Sequence, residues 1–109
     1  MNIYLAGPMR GLPDFNFPAF NAAAERLRAL GHTVFNPAEK GEEAQLVDHA
    51  ELQNDLAFRR AVFKIDTSYI CSHADALVML DGWKQSQGAI AEYALAMAIG
   101  IPAYTYVYE

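Results

Sequence analysis

The stretch from Leu77 to Ile99, LVMLDGWKQSQGAIAEYALAMAI, constrains the fold of this chain more than any other. It opens with an apolar run, Leu77 to Leu80, that is too short for a helix and apolar on both faces. That is the pattern of a strand covered on both sides of its sheet. A polar turn containing Ser86 and Gly88 follows, and then a helix in which Glu92 stands three, four and seven residues before Leu95, Ala96 and Ile99. Those spacings put an acid on the buried stripe. A glutamate near a helix N-terminus needs no function, because it complements the helix dipole. In an open α/β sheet, however, the same carboxylate faces the crevice at the carboxyl ends of parallel strands, where such sheets bind ligands. Ser86 and the free N–H groups around Gly88 then form an anion site at the helix start. One carboxylate nucleophile beside one phosphate-sized cradle suggests a phosphorylated sugar as substrate.

The chain opens on a similar unit. Asn2 to Ala6 form a short apolar strand that breaks at Gly7-Pro8. The loop GPMRGLPDFNFP carries Gly7, Arg10 and Gly11 to the end of that strand, where backbone N–H groups and a guanidinium fork can meet a phosphate. Taken alone, Arg10 is equally well a solvated surface cation. Asn16 suits an N-cap and Pro18 the first turn of a helix whose buried stripe is Phe20, Ala23, Ala24, Leu27 and Leu30, stopping at Gly31. His32 reads as a surface residue. The next strand, Thr33 to Asn36, ends at Pro37 and completes a βαβ unit.

From Ala38 to Asp55 no helical or strand period persists, and six of the 13 acids fall there. The segment reads as a long loop or frayed helix, placed to act as a lid. Asp48, His49 and Glu51 match no metal-ligand spacing, so no metal is expected. A helix over Leu56 to Ser72 takes Ala57, Ala61, Phe63, Ile65, Tyr69 and Ile70 as inner positions, with Asp66 on the same face. A buried acid needs a partner or a purpose. Asp75 begins the third strand at the end away from the crevice and reads as a structural cap. The last strand, Pro102 to Tyr106, sets Tyr104, Tyr106 and Tyr108 on one face, as a subunit contact or a covered edge.

These elements predict a compact α/β domain over residues 1–109, Rossmann-like or flavodoxin-like in three layers, with a four-stranded parallel sheet in order 2-1-3-4. A composition 53% hydrophobic and 19% charged excludes disorder. A net charge of −5 argues against nucleic acid polymers and anionic membranes as partners, while leaving room for a small anion at a local positive site. The single Cys71 has no disulfide partner and is expected as a buried, inert thiol. No apolar run reaches the length of a membrane span and no signal-peptide pattern opens the chain, so a cytoplasmic protein is expected.

IYLAGPMRG at the start, NP after the second strand and GWKQSQGAIAE near the end resemble the nucleoside 2-deoxyribosyltransferase superfamily. Within it they are similar to the 2'-deoxynucleoside 5'-monophosphate N-glycosidases and, by phrasing, to DUF4406-type domains. The resemblance implies that Glu92 is the nucleophile and that Ser86 binds a 5'-phosphate. It further implies roles for Tyr4, Gly7, Arg10 and Gly11 in the opening loop, with Arg10 on the phosphate and Tyr4 positioning Glu92. Asp66 matches the remaining family carboxylate, although it stands one residue further from Asp75 than the family pattern has it. Pro8 replaces a small hydroxyl residue. The implied activity is cleavage, by hydrolysis or base transfer, of the N-glycosidic bond of a (deoxy)nucleoside or its monophosphate. Asp66 would orient the sugar or protonate the base. Trp83 and Tyr93 would stack on that base, with core packing as the alternative. No cofactor is implied, and a homodimer or higher homo-oligomer is. Two rivals use the same residues: a non-catalytic nucleotide-binding module, which would bind without releasing base, and an interaction protein working through its tyrosine edge, which would bind no nucleotide.

Overall fold

The computed structural model describes residues 1–39, 43, 45–46 and 48–107. Four parallel strands, β1 (Asn2–Ala6), β2 (Thr33–Phe35), β3 (Ala76–Met79) and β4 (Ala103–Thr105), form one sheet in the order β2-β1-β3-β4. Three helices connect them: α1 (Phe17–Ala29), α2 (Leu56–Ser72) and α3 (Gln87–Ile99). The alternation of side chains along a strand explains why both central strands are hydrophobic and buried from Ile3 to Ala6 and from Ala76 to Met79. Ile3, Leu5, Val78 and Leu80 face one way and pack with Phe20, Ala23 and Ala24 of α1. Tyr4, Ala6, Leu77 and Met79 face the other way, against Ile70 of α2 and Ala89 and Ala96 of α3. The register pairs Tyr4 with Leu77 and Ala6 with Met79, so the two strands end level.

The predicted order and strand direction are those found, and α2 occupies the predicted span. Several faces differ. In α1, Leu30 lies beyond the helix and is exposed. In α2 only Asp66 and Ile70 are buried; Ala57 and Ala61 are exposed, as are Phe63 and Ile65. The buried stripe of α2 is only Asp66 and Ile70, one turn apart, and Phe63 lines an open cleft. Ile99 is also exposed, so the buried stripe of α3 is Ala89, Glu92 and Ala96. Cys71 is exposed, not buried, because it follows Ile70 on the outer face of α2.

Asn16 precedes α1 but does not cap it. Its backbone is left-handed, with φ of 60°, and its side-chain amide donates to the Pro8 carbonyl at 2.9 Å. With Asp14 and Phe15, at φ of 51° and 52°, it forms three successive non-glycine residues in a region that disfavours them. Asp75, expected to cap the turn before β3, bonds across the sheet instead: its Oδ2 accepts from the Asn2 N–H at 2.8 Å and ties the start of β1 to that of β3. Tyr104 is exposed and Tyr106 packs against the α1 side of the core, whereas Tyr108 lies outside the described residues. Among the described residues, no helix is long and apolar enough to cross a membrane.

Candidate active site

A cleft of about 870 Å³ opens where β1 and β3 end. Strand order reverses across these neighbours, and an open α/β sheet binds its ligands at such a switch point. The loop after β1 contributes Gly7, Pro8, Met9, Arg10 and Gly11, and the start of α3 contributes its N-cap Ser86 and, already inside the helix and not in the turn expected for it, Gly88. Gly7 is required by close approach, since a Cβ there would sit 2.8 Å from Leu80 Cβ. Ser86 is the N-cap of α3, its Oγ accepting from the Ala89 N–H at 3.2 Å, which leaves its hydroxyl hydrogen available to a ligand.

The floor of the cleft is acidic. Tyr4, 1% exposed, donates from its hydroxyl to Glu92 Oε2 at 2.6 Å. Its ring is held by Phe35, centroids 5.3 Å apart, and by Tyr69 at 6.3 Å, so the hydroxyl is fixed beneath α3. Burial pushes the Glu92 carboxyl up to about 8, opposed by the Tyr4 hydrogen bond and reinforced by the nearby Asp66 charge. Burial likewise raises Asp66, 5% exposed, above the usual carboxylate range. Tyr4 is itself raised well above its ordinary value, first by burial and then by Glu92.

Sequence reasoning missed a third acid here. Glu43, from the aperiodic segment after β2, lines the cleft with Asp66 and Glu92, and its Oε1 is buried without a hydrogen-bond partner among the described residues. Its carboxyl is pushed up to about 11, chiefly by burial and then by hydrogen bonding to Asp66. The segment is launched by Asn36, fully buried, whose Oδ1 accepts from the Ala38 N–H at 3.0 Å and whose Nδ2 donates to Asn21 at 2.9 Å. Nothing in an acidic run distinguishes one glutamate from its neighbours.

The rim is basic. Arg59 and Arg60 of α2 line the cleft with Arg10. Arg10 reaches Asn54 Oδ1 at 3.4 Å and Arg59 Nε donates to the Gln53 carbonyl at 2.9 Å, both neutral acceptors. Among the described residues none of these three guanidinium groups is paired with a carboxylate. The sequence singled out only Arg10. Arg59 precedes Asp66 by seven residues, two helical turns, a signal that spacing did contain.

Tyr4, Gly7, Arg10, Gly11, Asp66, Ser86, Gly88 and Glu92 are therefore brought together around one cleft. Trp83 and Tyr93 are not. They stack on each other at 4.8 Å and pack against the α2–α3 side of the core.

Residues 1–105 match DUF4406, a domain of unknown function. The chain belongs to the DUF4406 family. The domain also shares the fold of a 2-deoxyribosyltransferase from Bacillus psychrosaccharolyticus, with a TM-score of 0.67 at 24% identity over 100% of this chain and 77% of that one. Among curated proteins none matches in sequence. The DUF4406 chain is thus a nucleoside 2-deoxyribosyltransferase-like domain in fold, and the cleft lies at the switch point of that fold.

Proposed function

We propose that this protein cleaves the N-glycosidic bond of a (deoxy)nucleoside 5'-monophosphate, with Glu92 as nucleophile. The observation that carries this reading is a buried carboxylate fixed by a 2.6 Å hydrogen bond from Tyr4, in a cleft that has a second acid, Asp66, and a basic rim of Arg10, Arg59 and Arg60. A carboxylate in such surroundings is poorly hydrated and oriented, and suited to attack a carbon that develops positive charge. The fold shared with a 2-deoxyribosyltransferase supports the same chemistry.

In the first step a Glu92 oxygen bonds to C1', the C1'–N bond breaks with its electron pair going to the base, and the base takes a proton from Asp66. In the second, water or another base attacks C1' and frees Glu92, as in retaining glycosidases. Ser86, the N–H groups at the start of α3 and Arg10 would hold the 5'-phosphate, with Arg59 and Arg60 adding positive potential. No step calls on a cofactor. The exposed apolar residues of α3, Ile90, Met97 and Ile99, offer a surface for the homo-oligomer that belongs to this reading.

The test is free-base release from a panel of ribo- and deoxyribonucleosides and their 5'-monophosphates, with Glu92→Ala as control. Release that depends on Glu92 and favours monophosphates is expected. Nucleotide binding with no release from any member would refute the reading in favour of a binding module.

A further inference from the structure

We infer that Arg59 and Arg60, together with Arg10, form a second phosphate subsite, so that the cleft takes a nucleoside 5'-diphosphate as well as the monophosphate; this rests on the placement of the 5'-phosphate at Ser86 proposed above.

Two helix starts open on the cleft. α3 begins at its N-cap Ser86 and α2 at its N-cap Asp55, and residues from the first turn of each line the cavity. Each start presents the positive end of a helix dipole. Arg59 and Arg60 follow within the first turns of α2, both exposed at the rim. Arg10 comes from the loop after β1, yet its guanidinium ends beside α2, where Nη2 donates to Asn54 Oδ1 at 3.4 Å. Arg59 turns back to the neighbouring residue, its Nε donating to the Gln53 carbonyl at 2.9 Å. Two guanidinium groups from different elements thus converge on adjacent residues just before α2, and Arg60 lines the same cleft. Phosphate oxygens accept from a guanidinium fork more strongly than a neutral amide or carbonyl does, so both groups gain by turning to an anion between them.

Charge decides between one phosphate and two. A phosphomonoester carries about −1.5 to −2 near neutral pH. Three guanidinium groups, protonated at any working pH, exceed that, and the helix starts add to the positive side. A second phosphate brings the ligand's charge up to theirs. The concentration is local: the chain has net charge −5, yet three of its eight basic residues line this one cleft. The acids of the floor stand apart from them, since helix rise sets Arg60 and Arg59 roughly 9 and 10.5 Å along α2 from Asp66. Room is available as well. At about 870 Å³ the cleft lies near the upper end of the range for small-molecule sites, about 300–1,000 Å³. The bond to be cleaved stays at Glu92 and Asp66, while the second phosphate extends outward to the rim.

Titration calorimetry at constant ionic strength, with inorganic phosphate and inorganic pyrophosphate as probes, tests the subsite independently of catalysis. Pyrophosphate should bind the wild-type protein at least about 10-fold more tightly than phosphate. The double variant Arg59→Gln/Arg60→Gln, changed at exposed positions, should lose at least about 10-fold more affinity for pyrophosphate than for phosphate. Undetectable pyrophosphate binding, no wild-type preference, a preference that survives the double substitution, or equal loss of both probes would each overturn the proposal. The base-release panel is then extended to 5'-diphosphates. There the double variant should lower kcat/KM for a diphosphate at least about 10-fold more than for its monophosphate. Release from monophosphates with diphosphates rejected would refute the second subsite and leave the glycosidic reading standing. A pyrophosphate preference that depends on Arg59 and Arg60, in a protein that releases no base, would uphold the subsite and refute the glycosidic reading alone.

Discussion

Tyr4 is the residue on which the site depends most directly, since its hydroxyl donates to Glu92 at 2.6 Å, the one such donor among the described residues. It stabilises the ionised glutamate, so Tyr4→Phe should push the Glu92 carboxyl above its value of about 8. For a nucleophile that must be ionised, the acid limb of kcat/KM should then move to higher pH, with activity at neutral pH falling roughly 10- to 100-fold. A pH–rate profile of the two proteins checks this. Ser86 has two separable duties. Ser86→Ala removes the cap of α3 and should cost about 1 kcal/mol of stability together with affinity for the 5'-phosphate. Ser86→Asp keeps a capping oxygen but opposes the phosphate charge, so KM should rise for monophosphates and not for nucleosides.

Within the elements, the burial pattern explains where pattern reading succeeded. β1 from Ile3 onward and β3 throughout are hydrophobic because each faces a helical layer on both sides, and the chain stated that directly. α2 did not. Phe63 and Ile65 are apolar yet exposed, at 37% and 40%, because Phe63 lines the open cleft and Ile65, one residue before buried Asp66, is turned about 100° from the buried face. The β1 loop is set by close contact. Gly7→Ala would place a Cβ 2.8 Å from Leu80 Cβ, and about 1–3 kcal/mol of destabilisation is expected by denaturant unfolding, as for overpacking elsewhere. Phe20→Ala, on the α1 side of the core, should cost about 3–5 kcal/mol by the same measurement. Asn16 shows the opposite outcome: its type suits a cap, but the chain turns left-handed there and spends the side chain on Pro8.

For the whole molecule, the buried acids Asp66 and Glu92 and the half-buried Glu43 make stability depend on pH in an unusual direction. Glu92 and Glu43 titrate higher folded than unfolded, so below about pH 4.5 both states are protonated and their contribution is fully present. As pH rises the unfolded chain ionises first, and stability falls by up to about 1.4 kcal/mol per pH unit for each group. For Glu92 this loss ends near its folded value of about 8; for Glu43 it continues toward about 11. Glu92→Gln should therefore lose less Tm than wild type between about pH 5 and pH 8, as followed by calorimetry. The cost of these acids is what a site offers when function, not stability, sets the residue.

The sequence by itself determined the alternation of short strands and helices, the parallel order 2-1-3-4, and the meeting of the Arg10 loop with the Ser86 turn at the carboxyl ends of β1 and β3. All of these follow from local periodicity, turn chemistry and the rules of βαβ connection. It also placed Asp66 and Glu92 on buried faces. That Tyr4 reaches Glu92 was implied by the family resemblance and not by spacing; only the tertiary structure decided that Trp83 stacks on Tyr93 away from the cleft and that Glu43 enters it. Each is a contact between residues whose side chains reach across elements, and spacing along one element carries no information about reach to another. The aperiodic run after β2 is the extreme case. With no period to give it a face, the position of Glu43 exists only once Asn36 has turned the chain and α2 has supplied Asp66.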